Sequence, residues 1–393
     1  MKRYSIMIAC IWVSGSLWAQ TSIERVLQSV ETNNKELQAN SQLTAARKLE
    51  AKLDNNLPDP SVSYVHQYGN KDGMGIQGEL VASQSFDFPS VYVQKNKLTR
   101  AKAGSLDRQH AEVRQQILLQ AKEVCLDLVL LNQQKQLLDL RRQNAAQLSA
   151  LYERRLQTGD ANILETNKIN LELLNAKTEA RMNEAARTAK LQELATLNGG
   201  VAIDFTDTSY VDVPVPLSFE DLKQEALTSD AQLLSLKSEQ AAALRQIQVN
   251  KAMGLPGFEL GYRLNTASGG ERFNGFLVGI SIPLFSNRNN VKQAKAQSRY
   301  TDMQLESTTF TVTNELENLY DQSLALRASM DEYRQILQSQ NSLALLNKAI
   351  QAGQISMIEY FVDVTTYYQS VQNFMQLQNQ YQKVMAQLYK FRL

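Results

Sequence analysis

Two stretches of this chain, about Ser90 to Leu156 and about Asn287 to Ala352, read as uninterrupted helix, and no proline breaks either. At about 1.5 Å per residue, each would run for about 100 Å. That exceeds an ordinary globular core, so such helices have to pack side by side along their length. The apolar spacing agrees. Ile117, Val124, Leu131, Leu138, Ala145 and Tyr152 recur every seven residues, and Leu305, Val312, Leu319, Leu326 and Tyr333 do the same. A sustained seven-residue spacing predicts coiled-coil packing. Gln, Asn and Ala crowd both seams, which leaves two forms open. One is a soluble coiled-coil rod. The other is a helical wall with one face packed and another in water.

The long stretches belong to a duplication. "LPDPSVSYV" (Leu57 to Val65) is echoed by "LPGFELGYR" (Leu255 to Arg263): Leu57 matches Leu255, Pro58 matches Pro256 and Tyr64 matches Tyr262, at an offset of 198. "SFDF" (Ser85 to Phe88) answers "SIPL" (Ser281 to Leu284) at an offset of 196. "RRLQTGDANILE" (Arg154 to Glu165) pairs with "NKAIQAGQISMIE" (Asn347 to Glu359), with Gly159 and Gly353 194 positions apart. Landmarks in one order at nearly one spacing predict a tandem repeat. Residues 20–200 form the first copy, with a β-hairpin at about 60–88 and a turn at 158–161. Residues 218–393 form the second, with a hairpin at about 257–284 and a turn at 352–355. Each copy opens with one helix, Ser22 to Leu57 or Ser218 to Gly254. The Gly pair, Pro214 and Pro216 mark 201–217 as a linker, with room for a short strand at Val201 to Phe205.

The hairpin segments alternate with period two. Phe258, Leu260, Tyr262 and Leu264 oppose Glu259, Gly261, Arg263 and Asn265, and Phe276, Val278, Ile280, Ile282 and Leu284 share one face. In the first copy Val62, Tyr64 and Tyr68 oppose Ser61, Ser63 and Gln67, while Ile76, Leu80, Ala82, Phe86 and Phe88 oppose Gln77, Glu79, Ser83 and Asp87. Strands of about 9–11 residues with one apolar and one polar face fit a lipid-facing β-barrel around a wet lumen. A half-buried soluble sheet alternates in the same way. Export and the scarcity of elements to cover the apolar face favour the barrel. Four strands cannot close a barrel around a channel, and open edges are not tolerated in lipid, so several copies have to contribute.

Export is read from "MKRYSIMIACIWVSGSLWAQ". Lys2 and Arg3 precede an apolar run to Leu17, and residues 1–19 read as a secretory leader cleaved after Ala19. Lipidation at Cys10 is disfavoured because the apolar run continues through it. Without Lys2 and Arg3, the 41 basic residues fall to 39 against 40 acidic ones, a balance that excludes a nucleic-acid partner. Of the two cysteines only Cys125 lies beyond the leader, so no internal disulfide is expected.

Two tandem copies of helix, hairpin, long helix, Gly turn and helix behind a leader resemble the TolC family of outer-membrane efflux proteins, and the resemblance covers essentially the whole mature chain. It implies a mainly α fold with β-hairpins. A homotrimer would join four strands per protomer into a transmembrane β-barrel and its helices into a long α-helical coiled-coil barrel, the periplasmic tunnel. It implies no enzyme and no cofactor. It implies instead an exit duct in the outer membrane of a Gram-negative bacterium, most of its mass in the periplasm, set in outer-membrane lipid. A periplasmic adaptor would link it to an inner-membrane pump, such as one of the resistance-nodulation-division class. "LPDP" at Leu57 to Pro60 and "ISIPLFSNRNNV" at Ile280 to Val291 are similar to the heavy-metal branch. Multidrug efflux and type I secretion remain as alternative cargo classes, and a structural exported coiled-coil protein as a different kind of reading. Many relatives carry a lipidated Cys at the mature N-terminus, and none is evident here. The chain stops at Leu393 without a long extension, so the equatorial part of the tunnel is expected to be slight.

No residue constellation points to catalysis or to bound metal. His66 and His110 lie on different elements, and with Cys125 they offer no ligand spacing. His66 reads as an interface side chain near a barrel strand, and His110 as a solvated helix residue. Glu79 and Asp87 lie on the polar strand face, where they could draw cations; an ordinary solvated carboxylate is the favoured reading of each.

The turns carry the most local information. Gly159 and Gly353 suit the left-handed position that ends a helix. Asn162 and Ser356 follow as N-caps, and Glu165 and Glu359 complete the capping-box spacing. The resemblance adds that these turns are periplasmic tips. Gly159, Asp160, Asn162, Gly353, Gln354 and Ser356 would meet the adaptor, and Glu165 and Glu359 would line the pore constriction. A second acidic position, nine after the Gly, is lost: Lys168 and Val362 stand there, with Asp363 one place away. An Arg that locks the tip in relatives falls at Ile355.

Overall fold

The computed structural model describes residues 22–213, 218–339 and 342–393. The leader expected over 1–19, with Cys10, lies outside these residues, as do residues 214–217 of the expected linker.

The opening helix of each copy is two helices, which corrects the single-helix reading. Helix α1 (Ser22–Asn33) and α2 (Lys35–Leu53) meet at Asn34. In the second copy, α5 (Phe219–Ser229) and α6 (Ala231–Ala252) meet at Asp230, 196 positions later. Asn34 (φ −59°, ψ 123°) and Asp230 (φ −61°, ψ 125°) leave the helical region in the same way. The Asn34 side chain accepts from Leu37 N at 2.9 Å, and the Asp230 side chain from Leu233 N at 3.1 Å. A short polar side chain that captures a backbone N–H three residues on offers the chain an alternative to continuing the helix.

The strands are β1 (Ser61–Tyr68), β2 (Ile76–Phe86), β3 (Gly257–Ala267) and β4 (Arg272–Ser281). They form one antiparallel sheet in the order β1-β2-β3-β4. Each hairpin comes from one copy, and β2 pairs with β3 to join the copies, with Leu80 opposite Leu264 and Ala82 opposite Tyr262.

Helix α3 (Pro89–Thr158) has Pro89 at its first position, where the missing N–H would have no helical partner. It is followed by α4 (Ile163–Leu197). In the second copy the expected single helix ending near Ala352 is two elements, α7 (Asn290–Ser339) and α8 (Ser342–Gln351), with residues 340 and 341 outside the described set. Helix α9 (Met357–Leu388) and a short 3-10 turn (Lys390–Arg392) close the chain.

Packing separates two compact units that do not follow the repeat: residues up to Asn33 with Val124–Asp212, and Asn34–Glu123 with Val213–Leu393. In the first unit, Val124, Leu138, Ala145 and Tyr152 of the seven-residue series are buried, as are Ile169, Ala176 and Leu194 of α4. Arg141 ties α3 to α4: its Nε donates to Glu172 Oε1 at 2.6 Å and its Nη1 to Glu179 Oε2 at 2.8 Å. The strand expected at Val201–Phe205 does not form. Asn132 Nδ2 donates to the carbonyls of Phe205 (3.3 Å) and Asp207 (2.9 Å), and Gln133 Nε2 to that of Thr208 (3.0 Å). Side-chain amides of α3 thus hold the end of that segment and the residues just after it. In the second unit, Leu222, Leu233, Val312, Leu316, Tyr381 and Met385 form a buried cluster, against which Leu305, Leu319 and Leu326 pack partly buried.

Candidate functional site

The sheet exposes an apolar face. Its register aligns Val62, Ala82, Tyr262 and Phe276 in one row and Leu260 with Val278 in another. Phe276 is 92% exposed, Val278 74% and Val62 72%. Fully burying such a side chain is worth about 1.5–3 kcal/mol. Val62, Tyr64, Leu80, Leu260, Tyr262, Phe276, Val278 and Ile280, all exposed, therefore leave about 10 kcal/mol unrealised on this face. A patch of this size marks an interaction surface.

The opposite face carries Ser61, Ser63, Gln67, Gln77, Glu79 and Arg263. Here the expected acidic groups are already countered. Glu79 pairs with Arg263 across β2 and β3 at 2.8 Å, and Asp87 pairs with Lys95 at 3.0 Å. Neither offers an uncompensated charge to a passing cation.

The two turns are built alike. Gly159 (φ 79°) and Gly353 (φ 68°) adopt the left-handed conformation that side chains other than glycine rarely tolerate. Asp160 N donates to Arg155 O at 2.7 Å and Gly159 N to Leu156 O at 3.3 Å; Gln354 N donates to Ala349 O at 2.9 Å and Gly353 N to Ile350 O at 3.2 Å. Each is a Schellman closure, which satisfies carbonyls left open at a helix end. Capping boxes follow. Glu165 N donates to Asn162 Oδ1 (2.9 Å) and Asn162 N to Glu165 Oε2 (3.0 Å). Glu359 N donates to Ser356 Oγ (3.2 Å) and Ser356 N to Glu359 Oε2 (2.8 Å). The bond from the Ser356 backbone, helped by its side chain, holds the Glu359 carboxyl below its usual range. Behind the second turn, Tyr360 donates its hydroxyl to Asn347 Oδ1 at 2.8 Å.

Among the described residues, no cluster of three or more His, Cys, Asp or Glu could hold a metal ion, and no helix is long and apolar enough to cross a membrane. His110 stands on α3, partly buried, with its Nδ1 2.6 Å from Asn40 Oδ1. Burial, with Asp207 adding to it, pushes the Cys125 thiol up to about 12, which makes it inert as a nucleophile. "SNRNN" has a structural use as well: Asn287 Nδ2 donates to Asn250 O (2.8 Å) and Asn250 Nδ2 to Asn290 O (2.9 Å), which pins the start of α7 to the end of α6. Sequence reasoning missed this knot, the Arg141 clamp and both helix breaks. Only the breaks left a local signal, an Asn or Asp with an apolar residue three places on.

Residues 222–391 match the family model for outer membrane efflux protein. Over that stretch the chain is similar to outer membrane efflux proteins. Solved structures share the fold along nearly the whole length. A membrane protein from Pseudomonas aeruginosa aligns with TM-score 0.79 at 16% identity, covering 95% of this chain and 93% of that one. CusC aligns with TM-score 0.77 at 17% identity, covering 96% and 95%. VceC, an outer membrane protein of Vibrio cholerae, aligns with TM-score 0.76 at 14% identity, covering 94% and 95%. The search of curated proteins found no match. The match over residues 222–391 and the shared fold agree with the TolC-like reading of the sequence.

Proposed function

We propose that this chain is the exit duct of a tripartite efflux system, a passive conduit and not an enzyme, in the outer membrane of a Gram-negative bacterium with most of its mass in the periplasm. The observation that carries the reading is the sheet, with its exposed apolar face, its polar reverse and two open edges, β1 and β4. In lipid an unpaired strand edge costs several kcal/mol per unsatisfied group, so strands of neighbouring copies have to close it. A homotrimer does so. The repeat boundaries at 20–200 and 218–393 then give each protomer two hairpins and two helical tips.

At the tips, Gly159, Asp160, Asn162, Gly353, Gln354 and Ser356 meet a periplasmic adaptor, which links the duct to an inner-membrane pump of the resistance-nodulation-division class. Glu165 and Glu359 line the constriction; the box uses Oε2 of each and leaves the second oxygen for ions in the passage. The cargo is heavy-metal cations, supported by "LPDP" and "ISIPLFSNRNNV". Because Glu79 is neutralised by Arg263, selection rests with the pump.

The purified chain should be a trimer that needs detergent and conducts in planar bilayers; a water-soluble monomer would sink the reading. A deletion strain without a redundant duct should lose metal tolerance. Lost drug tolerance with intact metal tolerance would reassign the cargo. Gly353→Val should weaken adaptor capture while the trimer survives, whereas loss of the trimer would confine the turn to folding.

A further inference from the structure

One row of the apolar face is polar. The register sets His66 opposite Gly78, Gly78 opposite Thr266, and Thr266 opposite Arg272, a row that crosses all four strands at the end nearest the hairpin loops. By alternation these residues share the face of Tyr64, Leu264, Tyr262 and Phe276. Away from the loops the face turns apolar: on β3, Leu264, Tyr262, Leu260 and Phe258 extend for about 20 Å at about 3.4 Å per residue. That length suits the lipid-facing band of a barrel, about 25 Å tall.

Tyr64 marks where the band ends. Its ring stands on the apolar face, and its hydroxyl lies 3.1 Å from His66 Nδ1 in the polar row. Gly78 makes this possible, since a β-carbon there would stand 2.7 Å from Tyr64 Oη. The ring of His66 is also edge-on to Tyr68, with centroids 4.6 Å apart. An aromatic body on apolar surface with its polar tip turned outward is how such side chains settle at a membrane boundary. Arg272, in the same row, has no carboxylate partner among the described residues, unlike Arg263 on the reverse face. Lys71 adds a cation in the neighbouring loop. Of the nearby acids, Asp72 sits in that loop, and Glu271, one residue before Arg272, faces the other side by alternation.

We propose that His66, Thr266 and Arg272, with Lys71 above them, bind the anionic phosphates of membrane lipid at the outer boundary of the barrel. A guanidinium fits phosphate with paired hydrogen bonds, and the Thr266 and His66 groups supply further polar contacts. The inference rests on the exit-duct reading, because it needs this face to meet lipid.

The test reconstitutes the full chain in phosphatidylcholine vesicles, with or without phosphatidylglycerol, and follows the temperature at which the heat-modifiable barrel is lost. Phosphatidylglycerol should raise it by several degrees for the wild type. The rise should vanish for the double variant His66→Gln, Arg272→Gln and persist for Arg272→Lys. An equal rise in wild type and double variant overturns the proposal, and so does no rise in the wild type. A matching rise from inorganic phosphate added to pure phosphatidylcholine vesicles overturns the lipid as its source. Failure of the wild type to form a heat-modifiable barrel even in phosphatidylcholine is a separate result, and it overturns the exit-duct reading.

Discussion

Gly159 and Gly353 sit in open space, with nothing within 4 Å of where a β-carbon would stand. A side chain there meets no neighbour, so its cost is purely that of the left-handed backbone. Gly353→Ala should therefore cost about 1–2 kcal/mol, a lower melting point measurable by circular dichroism in detergent. Glu112 shows the opposite kind of strain. Burial raises its pKa above the usual carboxyl value; the Ser235 hydrogen bond opposes this and the Asp230 charge adds to it. A carboxyl whose folded pKa is raised destabilises the fold once pH climbs from its unfolded value through the folded one. Glu112→Gln should thus raise the melting point at pH 8, gain progressively less as pH falls through the folded pKa, and keep no ionisation-linked gain below the unfolded value. An equal gain at pH 8 and pH 4 would show that ionisation is not the cause.

At the scale of elements, both copies are interrupted at corresponding positions, Asn34 and Asp230. Asn34 and Asp230 are only 4% and 1% exposed, and each caps the helix that follows. Replacing either by Ala should cost about 1 kcal/mol of cap energy, and more at Asp230, where little water can reach the orphaned Leu233 N–H. Asp230→Asn, which keeps an acceptor, should recover most of that loss in thermal unfolding. The two long-helix regions differ. The first has a nearly unbroken buried series and the Arg141 clamp, whereas in the second Val312 is buried and its neighbours in the series are only partly buried.

At the scale of the whole molecule, the near-balance of charge and the exposed apolar sheet decide how the chain meets its surroundings. If the sheet faces lipid, Val278→Lys near the middle of the apolar band should cost about 2–4 kcal/mol and sharply reduce the heat-modifiable fraction in vesicles. Gly275→Ser, three residues earlier and facing the other way, with nothing within 4 Å of where its β-carbon would stand, should cost far less. Equal losses would mean that both faces are packed alike.

Much of this was legible because it is local. Seven-residue spacing, period-two alternation, a glycine after a helix and an Asn or Ser three before a Glu each act within a few residues, so α3, the hairpins and both capped turns could be read from the chain. The breaks at Asn34 and Asp230 were missed because their polar residues sit inside helix-favouring sequence, and burial decides whether the side chain turns to the backbone or to water. Tertiary structure alone paired β2 with β3, over 170 residues apart in the chain. That pairing set Glu79 against Arg263, cancelling a charge that looked free, and aligned His66 with Arg272 in one row. Periodicity fixes which face a side chain takes; which distant backbone lies beside it depends on how the elements meet, and no local pattern records that.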